Sequence, residues 1–215
     1  TLSRSRVGSS NLVSHHLTDA LLEQKGKEFD TVYAGRIKGE LIGVLMGGTV
    51  LDPYELGQKM ANICRNYDNV TVFVCPSQRP GIAKDHLVEG FKNQVAQFDV
   101  DSRSRIYLQD VDYKNAIKKY TPYTGLLGRA DHLCFTGESD SILSEALFTG
   151  KTVFTYNAQD GGLRSKGLTS NIRDLCENQP LPTQNIERPD VTRDVAMSIA
   201  REYLDTVPEN KRPKI

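Results

Sequence analysis

The sequence predicts an α/β fold, a doubly wound and mostly parallel sheet with flanking helices, and three observations predict it. Five apolar, β-branched runs, Leu41–Met46, Val70–Cys75, Ile106–Gln109, His132–Phe135 and Thr152–Tyr156, read as strands buried on both faces. Helical segments stand between or beside them: Pro53–Asn66, Lys84–Phe98, Tyr113–Lys119, a short Tyr123–Arg129 and Ser139–Thr149. Strands that alternate with helices, joined by right-handed crossovers, give a parallel sheet covered on both sides, and ligands gather at the carboxyl ends of its strands.

The ends of the chain extend this plan. Thr18 is placed to cap a leading helix that carries Leu21 and Leu22. A closing helix spans Val191–Leu204, with Val195, Ala196 and Ile199 expected to pack inward. Between them, Asn178–Pro189 is rich in Pro, Gln and Asn and reads as an extended connection over the surface. There is no internal repeat, and residues 1–215 are expected to form a single domain.

Composition narrows the function. Hydrophobic residues make up 38% and charged residues 25%, enough for a packed core, and 27 Lys plus Arg balance 27 Asp plus Glu. That balance lacks the basic excess that drives binding to nucleic acid, so no nucleic-acid partner is expected. No apolar run reaches the length of a membrane span, and TLSRSRVGSS has neither an initiator Met nor a signal-peptide core. A soluble, cytoplasmic and trimmed chain is the expectation. Cys64, Cys75, Cys134 and Cys176 have no close paired spacing, and His15, His16, His86 and His132 are scattered. Reduced structural thiols and no metal are therefore expected.

The most informative stretch runs from Ala130 to Tyr156: strand, polar turn, helix, small-residue stop, strand. With Ser139 as N-cap, the helical period puts Ile142, Leu143, Ala146 and Leu147 on an apolar face and Ser141, Ser144 and Glu145 on the polar one. A helix beginning beside Thr136, Gly137 and Ser139 offers amide donors, hydroxyls and a positive dipole end to a diphosphate, and Glu145 is placed to accept from ribose hydroxyls. The same residues also read as ordinary capping, with Asp140 favouring the dipole and Glu145 a solvated acid. Gly150-Lys151-Thr152 resembles the end of a P-loop, but Glu145 stands where that motif needs its first Gly; Gly150 is better read as the residue that ends the helix.

Two further turns follow strands. Gly47-Gly48-Thr49 allows close backbone approach to a ligand, although a tight turn without one fits equally. With no G-x-G-x-x-G and no acid ending the second strand, a nicotinamide dinucleotide is disfavoured. In Pro76-Ser77-Gln78-Arg79-Pro80, Arg79 is a bidentate donor for phosphate or a plain surface cation. All three turns fall at strand carboxyl ends, where one ligand can touch them together. His15 and His16 precede the first helix and are weighed as base or phosphate donor against ordinary exposed histidines, while His132 reads as structural.

These residues carry a resemblance. His15-His16-Leu17-Thr18 with Leu21, Val44-Leu45-Met46-Gly47-Gly48, Ser77-Gln78-Arg79-Pro80, and above all Ala130-Asp131 through Thr136-Gly137-Glu138-Ser139 to Ser144-Glu145-Ala146 and Thr149-Gly150-Lys151 resemble the elongated-mitochondria family of plant mitochondrial fission factors and its bacterial glycosyltransferase-like relatives. The resemblance implies the carboxyl-terminal, Rossmann-like half of a GT-B glycosyltransferase, with an amino-terminal partner domain missing. It implies a nucleoside diphosphate sugar as donor substrate, no cofactor, and Gly47, Gly48, Ser77, Arg79, Thr136, Ser139 and Ser141 around the diphosphate, with Glu145 on the ribose. The chain departs from the family pattern at Gln78, where a second arginine is common, and at Glu138, where an aspartate is common.

The leading expectation is thus a nucleotide-sugar-binding half that transfers a sugar when paired with its other domain. No catalytic residue is assigned, and the general base is expected in the absent half. The alternatives are a noncatalytic protein-interaction adaptor and a sugar-nucleotide epimerase.

Overall fold

The computed structural model describes residues 12, 15–47, 52–76, 82–110, 122–136, 139–156, 168–175, 179–183, 186–189 and 191–206. In chain order these form α1 (Asp19–Val32), β1 (Glu40–Met46), α2 (Pro53–Cys64), β2 (Val70–Pro76), α3 (Ile82–Val95), α4 (Val100–Ser104), β3 (Ile106–Asp110), α5 (Pro122–Arg129), β4 (His132–Thr136), α6 (Asp140–Phe148), β5 (Val153–Tyr156), β6 (Thr169–Asn171), a 3₁₀ turn (Ile172–Asp174) and α7 (Val191–Thr206). The sheet has the order β3-β2-β1-β4-β5-β6, and every neighbouring pair is parallel. The expected fold class is therefore the observed one.

Burial along β2, β4 and all of β1 after Glu40 explains their mostly apolar sequence, since each face of the sheet meets its own helical layer. Phe29, Leu126, Leu127, Leu143 and Leu147 of α1, α5 and α6 cover Leu41, Leu45 and Phe135. On the opposite face Leu56, Met60, Leu87 and Phe91 of α2 and α3 cover Ile42, Val44, Val72 and Cys134. Helices α2 and α3 meet backbone to backbone: a Cβ on Gly57 would lie 2.2 Å from the Leu87 carbonyl oxygen, and one on Gly90 2.2 Å from that of Tyr54. Where β1 and β4 begin, the Leu41 N–H donates to Asp131 Oδ2 at 2.8 Å and the Asp131 N–H to the Leu41 carbonyl at 2.9 Å, a reciprocal clip that fixes their register.

The expected caps are present. Thr18 Oγ1 accepts the Leu21 N–H at 3.2 Å, and α6 stops at Gly150, whose φ of +74° is the left-handed conformation a glycine stop adopts. Among the described residues Cys64, Cys75 and Cys134 are buried and form no disulfide, and burial pushes the thiols of Cys64 and Cys134 up.

The 113–119 helix and Cys176 lie outside the described residues. Other expectations need correction. The sheet gains a sixth strand, β6, whose Thr-Ser-Asn sequence carries no apolar signal, and the five-residue α4 is held by an Asp99 cap rather than by an apolar stripe. The 178–189 connection does not simply cross the surface: Leu181 is buried, and its N–H donates to Tyr67 Oη at 2.8 Å. Ala196 faces solvent instead of packing inward, because the described anchoring of α7 is at its first turn, where Thr192 exchanges hydrogen bonds with the His15 backbone; the side chains of Val195 and Ile199 are outside the description.

Candidate functional site

Chain order reverses between β1 and β4, so the helices that follow them leave on opposite faces of the sheet. This opens the crevice in which doubly wound sheets bind ligands. Met46 and Thr136 are paired at the ends of the two strands, and the Gly47 N–H donates to the Thr136 carbonyl at 2.7 Å, closing the floor of the crevice. Thr136 is fully buried, and its Oγ1 has no hydrogen-bond partner among the described residues. A buried hydroxyl without a partner costs roughly 1–3 kcal/mol, a penalty that a ligand atom relieves.

Helix α6 starts beside this point. Ser139 Oγ accepts the Ile142 N–H at 3.4 Å, so Ser139 is the N-cap, and Asp140 lies in the first turn. Ser141 is exposed. Glu145 is half-buried, and its Oε2 accepts a hydrogen bond of 2.6 Å from the hydroxyl of Tyr123 on α5. Ser144, expected on the polar face, is buried instead, because its hydroxyl donates back to the Asp140 carbonyl at 2.6 Å and needs no water. Gly47 thus follows β1, Thr136 ends β4, Ser139 caps α6, and Ser141 and Glu145 lie on α6; Gly48, Thr49, Ser77, Arg79 and Gly137 lie outside the described residues.

A second polar group at the carboxyl edge escapes sequence reading. Arg173, in the 3₁₀ turn, reaches Glu55 Oε2 at 2.6 Å and Asp52 Oδ2 at 3.4 Å on the first turn of α2, and its guanidinium stacks on Tyr156. The Tyr156 hydroxyl and then Arg173 hold the Glu55 carboxyl below its ordinary range, while burial and then Glu55 push the Tyr156 phenol up to about 12. Tyr156 pairs with Thr136 across the strands. The one signal here was Asp52-Pro53, a helix start; nothing around Arg173 marks it.

The weighed histidines lie elsewhere. His15 packs edge-on against Phe148 at the far end of α6, about 13 Å from its start at 1.5 Å per residue, and is thus removed from the crevice. His132 is buried at the start of β4, with Nε2 2.8 Å from Glu40 Oε2, a structural position as expected.

Lys151 also sits at the amino edge of the sheet, on the rim of a cavity of about 700 Å³ lined by Glu40, Arg129, Asp131 and His132. Its Nζ donates to the Leu127 and Gly128 carbonyls at 2.8 and 3.0 Å, capping the C-terminus of α5, which answers the P-loop likeness. Burial lowers the amine to about 8 against the partly opposing pull of Asp131. The unfolded chain therefore holds this proton between about pH 8 and the ordinary lysine value while the folded chain has lost it, so this residue makes stability rise with pH across that window. Compared with Lys151→Met, wild type should gain about 1–2 kcal/mol between pH 8 and 10 after allowance for solvent screening, read from urea midpoints at each pH. Parallel curves would show that Lys151 titrates normally. A second cavity, of about 800 Å³, opens beside α7 and is lined by Leu168, Arg188, Arg193, Met197 and Arg201.

Among the described residues there is no cluster of three or more His, Cys, Asp or Glu that could hold a metal ion, and no helix is long and apolar enough to cross a membrane. No curated protein matches the sequence. Several solved structures are similar at a distance, three of them as follows. A molybdenum cofactor carrier protein from Chlamydomonas reinhardtii is 12% identical, with a TM-score of 0.40 over 76% of this chain and 99% of that one. An E. coli trehalose-6-phosphate protein bound with UDP-2-fluoro glucose is 8% identical, with a TM-score of 0.42 over 85% of this chain and 42% of that one. The reductase domain of an aureusimine biosynthetic cluster is 12% identical, with a TM-score of 0.26 over 89% of this chain and 55% of that one. The chain thus spans about half the length of the latter two. Residues 3–203 match the family model of mitochondrial fission ELM1, and the chain belongs to that family.

Proposed function

We propose that this chain is the nucleotide-sugar-binding half of a GT-B glycosyltransferase-like protein that, with an amino-terminal partner domain, transfers a sugar from a nucleoside diphosphate donor. The observation that carries the reading is the strand-end reversal between β1 and β4, where the buried Thr136 hydroxyl, without a partner among the described residues, stands beside the start of α6 and Gly47. Family motifs at the same positions support it. The positive end of α6 would stabilise charge on the departing diphosphate, Arg79 would add a bidentate contact, and Glu145 would accept from the ribose. The chemistry needs no metal for charge neutralisation, and its general base would come from the partner domain.

Calorimetric titration of the chain with UDP, GDP, ADP and CMP and their sugar derivatives tests this. Binding of at least one at micromolar to low-millimolar affinity is expected. Absence of heat with all of them, even when the amino-terminal domain is supplied, would falsify the donor-site assignment.

Family membership favours a second reading, a noncatalytic adaptor in mitochondrial fission, and the departures at Gln78 and Glu138 are compatible with it. An adaptor would hold its partner with unchanged affinity after substitution of Glu145; a donor-dependent protein would not.

A further inference from the structure

Tyr123 lies in the first turn of α5. Because β3 ends at the carboxyl edge of the sheet and α5 runs back toward the start of β4, that turn lies at the carboxyl edge, beside the crevice. The ring packs on the core shared by α1, α5 and α6, and the hydroxyl reaches Glu145 Oε2 at 2.6 Å, the length of a charge-assisted hydrogen bond. Burial, and then the facing carboxylate, push the phenol well above its ordinary value, so it remains a donor at any physiological pH.

A helical glutamate has three rotatable bonds and samples several rotamers in water. A donor fixed by packing selects one of them and engages Oε2, leaving Oε1 and the remaining lone pairs to accept from a ligand. An ionised carboxylate only accepts hydrogen bonds, and a vicinal diol presents two donors on adjacent carbons, so the two match. A phosphate, which also only accepts, is repelled.

We propose that Tyr123 is a positioning residue that fixes the Glu145 carboxylate to read the 2′,3′-diol of a ribonucleoside diphosphate, so that the site distinguishes ribose from 2′-deoxyribose. The inference rests on the nucleotide reading of the crevice. It assigns to Tyr123 a part in ligand choice, which neither the family motifs nor the helical period indicates.

The test is calorimetric titration of the full chain with UDP, GDP and ADP and with their 2′-deoxy counterparts. Wild type should hold one ribonucleotide at least about tenfold more tightly than its deoxy form, since a site built to bond a hydroxyl rejects the analogue that lacks it. Tyr123→Phe keeps the ring and removes the donor; it should bring that ratio down to about twofold, the ribonucleotide losing clearly more affinity than the deoxy form, which keeps only its 3′-hydroxyl. A Tyr123 that merely supported the fold would weaken both sugars alike and leave the ratio intact. Tyr123→Leu, which also fills the core position without a donor, should narrow the ratio in the same way and decides the matter if Tyr123→Phe does not fold. An undiminished ratio in the folded variants, or equal affinity of wild type for both sugars, overturns the inference and leaves the nucleotide reading standing. No binding of any of the six compounds by wild type overturns both.

Discussion

Gly57→Ala is expected to lower the melting temperature by about 6–12 °C, the equivalent of about 3 kcal/mol in a chain of this size. The added Cβ would lie 2.2 Å from the Leu87 carbonyl oxygen and 2.7 Å from the Phe91 nitrogen, both backbone atoms of α3, so no rotamer change relieves the overlap. The helix itself must retreat. Gly90 presses α3 on the Tyr54 backbone within the same interface, so retreat separates the whole layer and loosens Leu56, Met60, Leu87 and Phe91 from the sheet. Gly35→Ala is the control: a Cβ there meets nothing within 4 Å, and only the left-handed φ of +74° is strained, at about 1 kcal/mol. Thermal unfolding followed by circular dichroism compares the two, and equal losses would show that the helix contact tolerates a methyl group.

Glu145→Ala should act on ligand and fold together. Loss of charge-assisted bonds to a ribose, each worth about 1.5–3 kcal/mol, predicts a fall in nucleotide affinity of about a hundredfold. The same change leaves the Tyr123 hydroxyl without its acceptor, at a cost of about 1–3 kcal/mol in stability. Glu145→Gln separates the two effects, because its amide oxygen still accepts from the phenol while the charge is gone. Stability should return to near wild type and affinity should not. Full affinity in the Gln variant would make Glu145 a partner of Tyr123 alone.

The strands were readable because burial on both faces leaves one chemical signature, a run of mostly apolar residues, and β1, β2 and β4 carry it over most of their length. Thr18, Ser139 and Gly150 were readable because caps act within a few residues of sequence. β6 was not, since three polar residues gain their strand state only by pairing with β5. The crevice residues divide the same way. Thr136, Ser139 and Glu145 fall within one strand-turn-helix unit and are local in sequence, whereas the Tyr123–Glu145 bond and the Arg173–Glu55–Asp52 group join positions that only the topology brings together. Ser144 shows the limit of helical periodicity: a hydroxyl that bonds its own helix can be buried like an alanine.

The sheet order carries a consequence for biosynthesis. Within this sheet β1 is made before both of its neighbours and becomes a central strand, flanked by β2 on one side and by β4 on the other. Until residues 132–136 have been made, a growing chain that has already paired its first three strands keeps one full edge of β1 uncovered, an apolar template open to other nascent chains. Translation pauses or truncations before that point leave the edge of β1 open, and later ones shift the open edge to β4 until residues 153–156 cover it.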